Sequence, residues 1–138
     1  MKTFHFIIIF ILFSLSSITG QVTDSAKFSS LRPDDFNQKY LKEDNHLIID
    51  VREFFEFRKT RLKDAVNIPS SGKLEFATDT IDKQCALFFY CTTGYRSKRV
   101  AEFFHNKGFP KLYSLEGGIM AWKKDGLPVV KKKVRKRE

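Results

Sequence analysis

Cysteine is the strongest nucleophile among ordinary side chains, and this chain of 138 residues has two, Cys85 and Cys91. Their settings differ. Cys91 opens the stretch Cys91-Thr92-Thr93-Gly94-Tyr95-Arg96-Ser97. Ahead of it, Ala86-Leu87-Phe88-Phe89-Tyr90 is a short apolar run that reads as a strand buried on both faces. Behind it, residues 97–104 carry apolar side chains at helical spacing, and Gly108 stands where a helix C-cap is expected. A strand, a tight loop opening on a cysteine, and a helix place N–H groups and a helix N-terminus around a sulfur atom. Both favour thiolate over thiol, so Cys91 is expected to have a lowered pKa and to act as a nucleophile.

The loop residues take roles from the same chemistry. Inward-facing amides from Thr92, Thr93, Gly94, Tyr95 and Ser97 would cradle an anion, and Gly94 permits backbone geometry that a side chain would block. Arg96 has two readings of equal weight: it neutralises the bound anion, or it braces the loop by bonding neighbouring carbonyls. Ser97 reads first as the cap of the following helix, and second as a hydrogen-bond partner of Cys91.

Four segments, residues 49–53 (Ile-Asp-Val-Arg-Glu), 65–69 (Ala-Val-Asn-Ile-Pro), 90–97 and 115–122 (Leu-Glu-Gly-Gly-Ile-Met-Ala-Trp), resemble in order and spacing the rhodanese-like sulfurtransferases. The resemblance covers residues 28–128. It implies an α/β domain with a mostly parallel five-stranded sheet and helices on both faces. It also implies that Cys91 accepts sulfane sulfur as a persulfide and passes it to a thiol or cyanide acceptor. The donor would be thiosulfate, a polysulfide or a persulfide. Cysteine phosphatases with a similar cradle place their arginine six residues after the cysteine, whereas Arg96 follows Cys91 by five. The smaller ring suits sulfur better than a tetrahedral oxyanion, as the resemblance also implies.

Two departures from the family matter. Thr60 and Asp64 stand where glycines are usual and Arg61 where histidine is frequent; Asp64 tolerates a left-handed turn better than most residues. Glu56 stands near a position that is basic in members specialised for thiosulfate, and an acid there would repel a dianion. For Asp50, at the end of the apolar run 46–51, a catalytic part is the lesser reading. A carboxylate tied to backbone N–H groups and to Arg52 fits both the pairing of buried polar groups and the resemblance.

The remaining elements position these residues. Pro33-Asp34-Asp35 suits a first helical turn, with Phe36, Tyr40 and Leu41 on one face. Residues 53–59 read as a short helix with Phe54 and Phe57 inward. Residues 109–115 form the last strand, residues 119–124 the last helix, and Trp122 is a core side chain. Six residues of strand at about 3.3 Å each hold Cys85 roughly 20 Å from Cys91, beyond the ~7 Å that a disulfide allows. Cys85 is therefore a packed thiol. His105 has no companions at metal-ligand spacing, and neither metal nor organic cofactor is expected.

The ends differ in kind. Residues 1–20 have the layout of a secretory signal peptide: Lys2, an apolar run from Phe4 to Leu15 too short to span a bilayer, and small polar residues up to Gly20. An uncleaved anchor is the lesser reading. The expected location is outside the cytoplasm, periplasmic before secreted, with residues 21–27 a flexible linker. The formal net charge is +9. Much of it lies in residues 129–138, where Lys131, Lys132, Lys133, Arg135, Lys136 and Arg137 face only Glu138. That segment reads as a disordered tail, solubilising or able to touch anionic lipid or an acidic protein; nucleic acid is not an expected partner, since no aromatic residues are interleaved to stack bases. A persulfide carrier or redox-sensing binding module with little turnover is the alternative to an enzyme.

Overall fold

The computed structural model describes residues 27–132 except Lys73. The signal-peptide reading, most of the linker and the end of the basic tail lie outside the described residues. The apolar run ahead of Cys91 becomes strand β5 (Ala86–Tyr90), and every one of its residues is buried. It stands in the middle of a five-stranded sheet that also contains β1 (Ser29–Leu31), β2 (His46–Asp50), β4 (Val66–Asn67) and β6 (Leu112–Leu115). The strand order is β1-β6-β5-β2-β4, and every pairing is parallel. Parallel neighbours need long crossovers, and most of these are helical. The helices are α1 (Pro33–Leu41), α2 (Phe54–Lys59), α3 (Leu74–Thr80), α4 (Tyr95–Asn106) and α5 (Gly118–Lys124).

Alternation along β5 divides the core into two layers. Leu87, Phe89 and Cys91 pack on one face with Val100, Ala101 and Phe104 of α4 and with Leu74 of α3. Ala86, Phe88 and Tyr90 pack on the other with Phe36 of α1 and with Ile119 and Trp122 of α5. Helices therefore cover both faces, as a sheet apolar on both sides requires. Phenylalanine is the main filler: Phe36 meets Phe88 edge-on at 5.3 Å, and Phe104 lies between Phe89 and Phe109 at 5.0 and 5.1 Å.

Several local expectations change. Phe54 is 60% exposed, with the Arg58 guanidinium over its ring, and α2 buries no residue completely. This helix sits at the rim of the sheet, where there is no core for an inward Phe54 to enter. Leu41 ends α1 and is also exposed, since the face marked by Phe36 and Tyr40 turns away from it. The boundary expected at Pro128 falls later. Val129 packs on the core, and β7 (Val130–Lys131) pairs antiparallel with β3 (Thr60–Arg61). The first residues of the supposed disordered tail therefore form a strand, and the indole N–H of Trp122 donates to the Pro128 carbonyl at 2.9 Å, holding the approach to it.

Asp50 and Arg52 are buried together at the C-terminal edge of β2. The Asp50 carboxylate accepts from the Arg52 amide, from Nε and from Nη2, the last at 2.6 Å; Nη2 also donates to the Thr60 carbonyl at 2.6 Å. Asn67 Nδ2 donates to the carbonyls of both Asp50 and Arg52. The ion pair together with Asn67 thus ties β2, β3 and β4 at the edge where the Cys91 loop emerges, and the Asp50 carboxylate is engaged by Arg52. Asp50→Ala leaves a guanidinium buried without its counter-charge. It is expected to cost about 3–5 kcal/mol in denaturant unfolding.

Candidate active site

The Cys91 loop leaves β5 at the C-terminal edge of the sheet and enters α4 through Gly94. Gly94 has φ +94°, in the region that favours glycine, and a Cβ there would lie 3.1 Å from the Leu115 carbonyl oxygen. From the other side α5 clamps the loop: Ile119 N–H donates to the Cys91 carbonyl at 2.9 Å and Met120 N–H to the Thr92 carbonyl at 3.2 Å. Gly118 makes that approach possible. Its φ is +60°, and a Cβ would fall 2.4 Å from the Thr92 oxygen and 2.5 Å from the Cys91 oxygen.

The loop closes around the sulfur. Gly94 N–H donates to Cys91 Sγ at 3.1 Å. Burial pushes the Cys91 thiol up, but the amides of Ser97, Thr93 and Gly94 together with the Ser97 hydroxyl pull it down and prevail. Its pKa therefore lies below the usual thiol value. Cys85 serves as an internal control. It belongs to the same face of the same core and is a free buried thiol, and its pKa is raised because burial is not offset by a comparable set of donors. Burial acts on both cysteines; only one has the amides.

The other loop residues separate. Ser97 is not the cap of α4, a position taken by Gly94. It is buried in the first turn, where its hydroxyl donates to the Gly94 carbonyl at 3.1 Å and shares a hydrogen bond of 2.9 Å with Ser114 on β6. The hydrogen bonds of its hydroxyl thus go to Gly94 and Ser114, while its position in the first turn still favours the Cys91 thiolate. Thr93 contributes its amide while its side chain is exposed. Tyr95 is 69% exposed, with Arg99 over its ring, so its side chain lies outside the cradle.

Arg96 makes contacts that neither reading from sequence named. Its guanidinium pairs with both carboxylate oxygens of Glu56, at 3.1 and 3.2 Å, and donates to Thr92 Oγ1 at 3.0 Å. Thr92 Oγ1 in turn donates to Glu56 Oε1 at 2.9 Å, and Glu56 accepts from the Glu53 amide at 3.1 Å. Burial pushes the Glu56 carboxyl up, but Arg96, the Glu53 amide and Thr92 hold it below the usual carboxylate value. The rim of the cradle thus carries an internal ion pair rather than an uncompensated cation. Among the described residues no group of three or more His, Cys, Asp and Glu side chains is arranged to hold a metal ion.

Residues 33–125 match the model of the rhodanese-like domain. The chain belongs to the rhodanese-like domain family. The fold agrees. A rhodanese-related protein from Thermoplasma volcanium superposes with a TM-score of 0.65 at 28% identity, covering 75% of this chain and 98% of that one. A rhodanese-like domain protein from Staphylococcus aureus gives a TM-score of 0.63 at 27% identity, covering 73% and 97%. The tRNA uridine(34) hydroxylase of Yersinia pestis is 30% identical over 108 residues, which is 72% of this chain and 30% of the hydroxylase. This rhodanese-like chain therefore spans under a third of the curated relatives it matches, and the family includes proteins of other activities.

Within this rhodanese-like site, sequence reasoning missed Ser114 and the Glu56–Arg96 pair. Ser114 lies in a strand otherwise read as core. Glu56 was visible as an acid near the site, but its partner lies forty positions away, and no local spacing signals the contact. The amide ring gives a direct expectation. Thiolate ultraviolet absorbance, taken as wild type minus Cys91→Ser across a pH series, should titrate below the ordinary thiol value of about 8.5. Since the Ser97 hydroxyl favours the charged form, Ser97→Ala should move that midpoint up.

Proposed function

We propose that this rhodanese-like domain transfers sulfane sulfur through a persulfide on Cys91. The carrying observation is the Cys91 sulfur held by loop amides that lower its pKa against the pull of burial. In the proposed cycle the Cys91 thiolate attacks the outer sulfur of the donor. A new S–S bond forms to Cys91, the donor's own S–S bond breaks, and that electron pair leaves on the remainder of the donor. The resulting Cys91 persulfide is stabilised by the amides that held the thiolate. A thiolate or cyanide then attacks the outer sulfur and Cys91 departs as thiolate, ready for another turn. No electrons are gained or lost overall.

Glu56 supports a preference among donors. Arg96 is the cation nearest the loop in sequence, and its charge is already matched by Glu56. A thiosulfate dianion meets an acid and a neutralised arginine at the rim, where a positive field would be needed to draw it in. Organic polysulfides and persulfides, with at most one charge at the reacting sulfur chain, place less demand on that field. We therefore assign these as preferred donors, with thiosulfate a poor one. Hydroxylation of tRNA is not carried over, because most of the hydroxylase lies outside the matched region.

Intact mass after incubation with polysulfide should show a gain of one sulfur atom on the wild type, lost on adding cyanide and absent from Cys91→Ser. Absence of the adduct with every donor would remove the reading. Glu56→Gln frees the guanidinium while keeping the side-chain shape, and should raise thiosulfate loading by about tenfold, as expected for removing one repulsive charge at short range. An unchanged rate would show that the pair does not set donor choice.

A further inference from the structure

A cavity of about 330 Å³ opens beside the active loop, a volume in the range of small-molecule sites. It shares Thr92 and Glu56 with the cradle. Its apolar wall is formed by Phe55, Ile119 and Met120. Phe55 is 73% exposed and Met120 is 55% exposed. Neither is needed by the core, and both stand at the mouth of a site built around sulfur. Lys59, which ends α2, and Lys123, in the last turn of α5, also line the cavity. Among the described residues neither ammonium has an acidic partner, unlike Lys27, Lys39 and Lys111.

Lysines at the ends of helices are ordinary, because they complement the helix dipole. What distinguishes these two is that separate helices bring them to one cavity that also has an apolar wall and the nucleophile's neighbour in its lining. Thr60 adds a further polar group: it lines the same cavity, and its Oγ1 is buried with no hydrogen-bond partner among the described residues. Buried polar groups are normally paired. The charge pattern is the reverse of the rim's: Arg96 is neutralised next to the sulfur, while uncompensated positive charge stands one subsite away.

We propose that this cavity is the subsite for the sulfur acceptor, and that it takes an organic thiol with an apolar body and a carboxylate at its far end. The inference rests on the sulfur-transfer reading of Cys91. The apolar body lies along Phe55 and Met120, the carboxylate meets Lys59 and Lys123, and the thiolate end is directed past Thr92 toward the outer sulfur of the persulfide. Attack forms a new S–S bond on the acceptor and breaks the Cys91 S–S bond, returning Cys91 as thiolate. The acceptor leaves as an organic persulfide. A small inorganic acceptor has no apolar body to place on that wall.

Two thiols of equal chain length test this, 6-mercaptohexanoate and 6-mercaptohexanol. They have nearly the same thiol and differ in the charge of the far end. NMR titration of Cys91→Ser, which needs no loaded sulfur, should show the carboxylate bound about five- to tenfold more tightly, the size expected for two solvent-screened charge contacts. The preference should vanish in the Lys59→Gln/Lys123→Gln variant. On polysulfide-loaded protein, the rate at which 6-mercaptohexanoate removes the sulfur should exceed that of 6-mercaptohexanol by a similar factor. The double variant should abolish that difference. Equal binding of the two thiols, or a preference that survives the double variant, would overturn the subsite. A binding preference without a rate preference would overturn its assignment to the acceptor. Binding with the expected preference to a protein that polysulfide never loads would instead remove the sulfur-transfer reading and leave the anion subsite standing.

Discussion

A trans peptide group points its carbonyl and its N–H in opposite directions, and the Cys91 loop depends on that geometry. The carbonyls of Cys91 and Thr92 are drawn outward by the amides of Ile119 and Met120. The N–H groups on the same peptide planes, those of Thr92 and Thr93, are thereby turned toward the inside of the loop. The cradle is thus held open from behind, by a helix from the far end of the sequence. Gly118 is the point of closest approach, and no side chain fits between it and the loop oxygens. The electrostatics around the Cys91 sulfur follow from a packing constraint.

The second organising feature is the placement of charge. Buried Arg52 is fully committed to Asp50 and Thr60, so its charge is structural. Arg96 is committed to Glu56 and Thr92, so the rim is close to neutral. In the neighbouring cavity, Lys59 and Lys123 have no acidic partner among the described residues. The protein therefore grades its field: backbone dipoles at the sulfur, a matched pair at the rim, and free charge beyond. A ligand recognised by such a gradient is one whose charge and reactive atom are separated by several bonds.

Much of this was legible in the sequence because it is local. The buried strand, the cysteine, the glycine and the helix after it are contiguous, and their chemistry is read without knowing the fold. Asp50 and Arg52 were legible for the same reason, being two residues apart at a strand end. Asp64 was expected in a left-handed turn and has φ 59°. What escaped depends on which elements become neighbours in space. Phe54 and Leu41 have the right type for core positions, yet their helices end or tilt where no core remains. Ser97 was read as a cap because serine at a helix start normally is one, but Gly94 occupies that place and the hydroxyl bonds the Gly94 carbonyl and Ser114. The strand at Val130–Lys131 was hidden by a run of lysine that resembles a solvated tail.

The strand order carries a consequence for how the molecule assembles. Among the described residues β1 pairs only with β6, so this strand has no template until residues 112–115 are available. The clamp from α5 comes later still in the chain. During synthesis, residues 29–31 must therefore wait for residues 112–115, and the loop around Cys91 is shaped only once α5 has been made. Pairings of such long sequence separation are slow to form. A partly made chain consequently contains the cysteine before it contains the environment that lowers its pKa.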